Sequence, residues 1–286
     1  MTEAALTLVD VRDDGVAVVT LNRPDRRNAW SPELERAYFG ALEGVDANAR
    51  VRAIVVTGAG STFCPGMDTA RLETLAGTRL NQDGRLPVYT PWRVRKPMIA
   101  AINGACAGIG LAQALLCDVR FMAAGAKLST SFARRGLAGE YGLTWLLPRM
   151  VGMPVATDLL LSARTVVADE ALALGLVTKV VDADALLDEA IAYAADLATH
   201  CAPTSLAMLR HQLHLDGDAT FADAMRRSYH AMSAAVAGAD LAEGVASLLE
   251  KRPPAFAPLP ADYDPAAILG ADVLVTTQPP ETLLPD

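Results

Sequence analysis

Residues 16–21, Val-Ala-Val-Val-Thr-Leu, are almost wholly apolar and end at Arg23-Pro24-Asp25, which predicts a buried strand closed by a turn. The spacing then becomes helical. Ser31 can cap free N–H groups, Pro32 suits a first helical position, and Glu33 favours the positive end of the dipole, so a helix is expected from Ser31 to about Val45. Three further apolar runs, 51–57, 98–102 and 119–123, predict buried strands. Gly58-Ala59-Gly60 closes the first, and Gly104 to Gly110 leads the second into a helix. Strand, glycine turn, helix, strand is the rhythm of an α/β protein.

Beyond Ala168 the period is helical, over 168–174, 184–198, 204–214, 219–236 and 240–249, with one short strand at 177–181. No internal sequence repeat stands out. Eight of the 17 prolines follow Arg252, with five acids and no Lys or Arg, which describes an arm rather than a core element. The expected division is a core over 1–200, a helical region over 201–252 and a Pro-rich acidic arm over 253–286. Ile268-Leu269 and Val273-Leu274-Val275 would anchor the arm on the subunit surface or on a neighbour.

Composition narrows the partners. With 52% hydrophobic and 20% charged residues in 286, the chain can bury a sizeable core. A net charge of −8 argues against nucleic acid or an anionic membrane as main partner, but leaves room for one small anion. Cys64, Cys106, Cys117 and Cys201 form no CxxC pair, and the first residues lack a basic stretch followed by an apolar one. A cytoplasmic protein with free thiols is expected. The most apolar segment, 98–125, is interrupted by Asn103, Gln113, Asp118 and Arg120, so no membrane span is expected.

Several motifs can be set aside. Gly108-Ile109-Gly110 lacks the third glycine of a dinucleotide fingerprint, and neither a GxxxxGK[ST] phosphate loop nor GxSxG is present. His211 and His214 lie three apart on an expected helix; without a nearby Cys or clear carboxylate partner they read as surface histidines, not a metal site. Two glycine turns carry more, Phe63-Cys64-Pro65-Gly66-Met67-Asp68 and Asn103 through Gly110. Each follows a buried strand, and such turns can aim backbone N–H groups at a ligand. Two that converge would form an oxyanion hole.

These turns, together with Asn22-Arg23-Pro24, Asn28-Ala29, Cys117-Asp118, Ala168-Asp169-Glu170-Ala171, Gly175-Leu176-Val177, Glu243-Gly244 and Glu250-Lys251-Arg252, resemble in order the signatures of the crotonase, or enoyl-CoA hydratase/isomerase, superfamily. The resemblance spans about residues 16–252. It implies an α/β spiral of ββα units, a C-terminal helical trimerisation region, a homotrimer or dimer of trimers, and an acyl-CoA thioester as substrate with no permanently bound cofactor. It further implies that the N–H groups of Met67 and Gly108 hold the thioester oxygen. Arg26, Ala29, Pro65, Asp68 and Lys251 would contact the CoA ester, Arg26 and Lys251 facing its phosphates with Arg27 and Arg252 beside them.

Hydratases of that family use two glutamates, and here Ala112 and Phe132 stand at those positions. A two-carboxylate hydration lacks its proton carriers. The segment from Gly136 to Arg149 instead resembles 3-enoyl-CoA isomerases of the peroxisomal type, with Glu140 at the place of their single catalytic glutamate; ring-epoxide isomerases have an aspartate there. Tyr141, Leu143, Trp145 and Phe132 would give Glu140 apolar walls and raise its pKa. The leading expectation is therefore an isomerase with Glu140 as sole acid/base. Alternatives are a hydratase in which Glu140 activates water, and a non-catalytic acyl-CoA-binding protein.

Overall fold

The computed structural model describes residues 5–75 and 89–270, and the chain divides into two compact units, 1–199 and 200–286. The strands of the first unit are β1 (Thr7–Val11), β2 (Val16–Leu21), β3 (Ala53–Gly58), β4 (Thr62–Cys64), β5 (Met98–Ile102), β6 (Ala105–Ala107), β7 (Val119–Ala123), β8 (Lys127–Ser129), β9 (Val166–Val167) and β10 (Lys179–Val181). Its helices are α1 (Pro32–Ala47), α2 (Thr69–Leu75), α3 (Thr90–Arg93), α4 (Ile109–Leu115), α5 (Leu143–Val151), α6 (Met153–Ser162), α7 (Ala168–Ala173) and α8 (Leu186–His200), the last ending at the boundary.

Six strands form one sheet in the order β1-β2-β3-β5-β7-β10, and four form a second, β4-β6-β8-β9. In the large sheet β1 runs antiparallel to β2 and the rest are parallel; in the small sheet only β9 is antiparallel. Three times the chain lays a long strand in the large sheet, turns, and lays a short one in the small sheet: β3 then β4, β5 then β6, β7 then β8. These units share geometry without sharing sequence, which is why no repeat is visible in the chain. Central strands β3 and β5 are buried along their whole length, consistent with their near-continuous apolar runs.

Local signals set the ends of α1. The Ser31 hydroxyl accepts from Leu34 N–H at 3.2 Å, and Pro32 opens the helix as its sequence predicts. At the other end the buried Lys96 Nζ donates to the carbonyls of Val45 (2.8 Å) and Asn48 (2.7 Å), satisfying acceptors that the helix leaves open. Leu34, Tyr38, Phe39 and Leu42 give α1 its fully buried face.

The second unit holds α9 (Pro203–Asp216), α10 (Phe221–Ala237), α11 (Ala239–Glu250) and α12 (Pro265–Leu269). Leu269 on α12 is buried with Met208 and Ala231, so the start of the Pro-rich arm folds against its own unit. The second expected anchor, residues 273–275, lies outside the described residues. His211 corrects the expectation of surface histidines, being only 8% exposed, and His214 is half-buried on the same helix. Burial, with Arg210 nearby, holds the His211 imidazole below its ordinary pKa and pushes that of His214 down to about 2. No single helix among the described residues is long and apolar enough to cross a membrane.

Candidate active site

Strand pairing brings the two glycine turns together. Pairing of β4 with β6 sets Cys64 opposite Cys106, so the chain leaving each strand enters the same space. Helix α4 starts so close to the first turn that a Cβ on Gly110 would lie 2.2 Å from the Cys64 carbonyl oxygen. Only glycine fits there. Gly108, at φ 53° and ψ −120°, turns the chain from β6 into α4 in a backbone region that other residues rarely enter.

The donors at this junction differ in part from the expected pair. Trp30 zips its backbone onto the first turn, donating from N–H to Gly66 O (2.8 Å) and accepting from Asp68 N–H (2.9 Å). The Met67 N–H between them makes no backbone hydrogen bond among the described residues. Gly108 does not match its expected role. Its N–H donates to Ser129 O at 3.0 Å, extending the β6–β8 ladder, and is already spent. The next N–H, that of Ile109, opens α4 and has no preceding helical turn to accept it. Ile109 therefore offers the open N–H that sequence reasoning missed. The available signal was that the first N–H of the helix, not that of its glycine cap, carries the unsatisfied end of the dipole.

A cavity of about 410 Å³ opens at this junction, lined by Met67, Gly108, Ile109 and Glu140 together with Arg26, Ala29, Pro65 and Asp68. Of the expected site residues, seven meet here. Lys251 belongs to the other unit, where it is exposed and closes α11 at φ 55°. Phe132, Leu137 and Leu72 add apolar lining to the cavity that Glu140 also lines. The expected walls Tyr141, Leu143 and Trp145 do not line the cavity. Leu143 is buried in the core, and Trp145 packs edge-on to Trp92 with the Arg149 guanidinium 3.8 Å from its ring centre. Ala112 is also fully buried and away from the cavity surface.

Asp68 and Ala29 are held by a cation to which the sequence reading assigned no role. Arg23 donates from Nη1 to Ala29 O (2.6 Å) and from Nη2 to Asp68 Oδ2 (3.3 Å), while Asp68 Oδ1 accepts from Ala70 N–H (3.1 Å). The Asp68 carboxylate is thus committed to shaping the turn. Arg26, 62% exposed, approaches the same carboxylate only at 4.0 Å and keeps donors for a ligand. Asn28 locks this loop. Fully buried at φ 59°, it accepts from Arg23 N–H (2.9 Å) and donates to Ala59 O (2.9 Å) and Thr62 O (2.6 Å).

Glu140 stands at the head of a reversed turn. Tyr141 (φ 53°) and Gly142 (φ 69°) are both left-handed, and Leu143 N–H closes the turn on Glu140 O at 3.1 Å. Glycine adopts that conformation freely, whereas a tyrosine there costs about 1–3 kcal/mol. Side-chain contacts have to hold it. The Tyr141 hydroxyl donates a hydrogen bond to Glu35 Oε2, and its ring packs edge-on to Trp30 with centroids 6.5 Å apart.

A ββα spiral whose two glycine turns converge on one cavity is the crotonase fold, shared with solved structures. An enoyl-CoA hydratase from Polaromonas sp. JS666 superposes with a TM-score of 0.82 at 29% identity, over 87% of this chain and 99% of that one. Residues 11–258 match the model of the enoyl-CoA hydratase/isomerase family, and the chain belongs to that family. Relatives include the (E)-benzylidenesuccinyl-CoA hydratase of Thauera aromatica, 36% identical over 84% of this chain and 95% of its own length. Another is the 1,2-epoxyphenylacetyl-CoA isomerase of Escherichia coli K12, 32% identical over 85% and 95% respectively. The chain is thus an acyl-CoA enzyme of this family by descent.

Proposed function

We propose that the protein shifts the double bond of a 3-enoyl-CoA thioester to the 2-position, with Glu140 as its only acid/base. The Glu140 carboxylate takes a proton from C2, the C2 electron pair delocalises toward the thioester oxygen, and the resulting dienolate is held by the N–H groups of Met67 and Ile109. Glu140 then returns the proton at C4. Each donor of this kind is worth roughly 3–4 kcal/mol in the transition state. Arg26 would meet a CoA phosphate beside Ala29 and Pro65, and Lys251 would serve as a further phosphate contact. That unit would assemble the chain into a trimer.

The observation that carries this reading is the inventory of carboxylates on the cavity wall, Asp25, Asp68 and Glu140. Asp68 is bonded to Arg23 and Ala70, and Asp25 shares its short turn with Arg26. Glu140 comes from the same stretch of chain, 132–140, as the apolar lining residues Phe132 and Leu137, and Phe132 and Ala112 at the hydratase positions cannot carry a proton. Hydration of an enoyl-CoA by a Glu140-activated water is the second reading, favoured by a hydratase among the relatives. Supplying 3-enoyl-CoA and 2-enoyl-CoA separately to wild type and Glu140→Gln tests both. Double-bond migration lost in the variant supports the proposal; hydration surviving in the variant removes Glu140 from the chemistry.

A further inference from the structure

Glu35 is a buried carboxylate for which the proposed chemistry has no use. It lies in the first turn of α1 and is 2% exposed. Burial of such a group is costly unless donors surround it, and the helix dipole alone supplies only part of that compensation. Two donors converge on one of its oxygens, Oε2: Trp30 Nε1 at 3.1 Å and the Tyr141 hydroxyl. Each donor is tied to a different lining segment. Trp30 is the residue whose backbone zips onto the turn offering the Met67 N–H, and Tyr141 is the left-handed residue next to Glu140.

We infer that Glu35 is a positioning residue that fixes the distance between the oxyanion turn and the Glu140 turn, acting through Trp30 and Tyr141. Neither Glu35 nor Tyr141 lines the cavity. The Tyr141–Gly142 turn is intrinsically unfavourable for tyrosine, and a hydrogen bond from its side chain to a fixed carboxylate keeps it in place. The carboxylate is fixed because α1 buries one face in the core and Ser31 caps its start. Loss of the Tyr141 tether frees Glu140 to leave the line between C2 and C4 without removing any group that binds the thioester.

This inference rests on the proposed role of Glu140, so its test carries Glu140→Gln as a control. Steady-state kinetics on the turned-over enoyl-CoA and thermal unfolding are measured for Tyr141→Phe, Glu35→Gln and the double variant. Binding of a saturated acyl-CoA is measured alongside. Expected for Tyr141→Phe is a fall in kcat of about ten- to a hundredfold, the scale of a small misplacement of a reacting group, with KM and acyl-CoA affinity within about twofold. Glu35→Gln should move the same way, and the double variant should be no worse than the poorer single one, because both act through one bond. Folded Tyr141→Phe with wild-type kcat would overturn the inference. So would kcat and affinity falling together, or single effects that multiply. If Glu140→Gln itself keeps full activity, the role of Glu140 fails instead, which separates the two failures.

Discussion

Replacing Gly110 by alanine tests whether the site depends on the close approach of α4 to the first glycine turn. The added methyl carbon would sit 2.2 Å from the Cys64 carbonyl oxygen and 2.7 Å from the Cys64 Cβ. Ordinary contact between such atoms is about 3.5 Å, so the helix start and the turn must part by roughly 1 Å. Backbone is the obstacle, and no rotamer change relieves it. Overpacking of this kind costs about 1–3 kcal/mol, a fall in Tm on the order of 5 °C, which leaves the enzyme folded at assay temperature. The catalytic effect should be larger. Ile109 N–H lies one residue from the clash and Met67 N–H three residues beyond Cys64, so the same displacement separates the two donors and should lower kcat about a hundredfold or more. Gly44→Ala is the matched control. It lies inside α1 with nothing within 4 Å of its added methyl and should gain up to about 1 kcal/mol with kcat unchanged. Folded Gly110→Ala with wild-type kcat would refute the claim that these turns form one oxyanion site.

Asn28→Ala should lower unfolding free energy by about 4 kcal/mol, from three lost hydrogen bonds of about 1 kcal/mol each and a left-handed alanine. Urea denaturation showing a loss under about 1 kcal/mol would contradict the bonding described. For His214, whose folded pKa is about 2 against an ordinary 6.5, the unfolded chain takes up a proton below pH 6.5 while the folded chain does not. Stability should therefore fall as pH drops from 6.5 to 5, by at most about 2 kcal/mol from this residue. Measured from pH 7.5 to 5, that slope should shrink in His214→Leu; an unchanged slope would place the acid sensitivity elsewhere.

Much of the large sheet was legible because β2, β3 and β5 are buried almost throughout and read as nearly unbroken apolar runs. Strands β2, β5 and β7 fall at the residues the pattern predicts. Edge strand β1 and the two- or three-residue strands of the small sheet went unseen, since a short strand has no room for a period and β1 is largely exposed. Helices α5 and α6, within 143–162, were equally hidden. Glycine restarts the chain at 142 and 152, and Pro148 sits inside α5. At the site, the motif residues around the cavity could be read from spacing. Which N–H of the 108–109 pair is free could not, because it depends on a ladder bond to Ser129, twenty-one residues further along the chain. The pairing of Glu35 with Tyr141, 106 residues apart in sequence, was likewise invisible.

The central claim is that one carboxyl group moves a proton on a held dienolate, with no water added to the substrate. Turning over a 3-enoyl-CoA in D2O enriched in H2-18O reads this directly. Expected is a 2-enoyl-CoA with no 18O, whose new C4 hydrogen is the proton Glu140 took from C2 and which therefore gains less than one solvent deuterium per molecule at C4, formed by wild type and not by Glu140→Gln. A 3-hydroxyacyl product bearing 18O at C3, or 2-enoyl-CoA formed equally fast by Glu140→Gln, would contradict it.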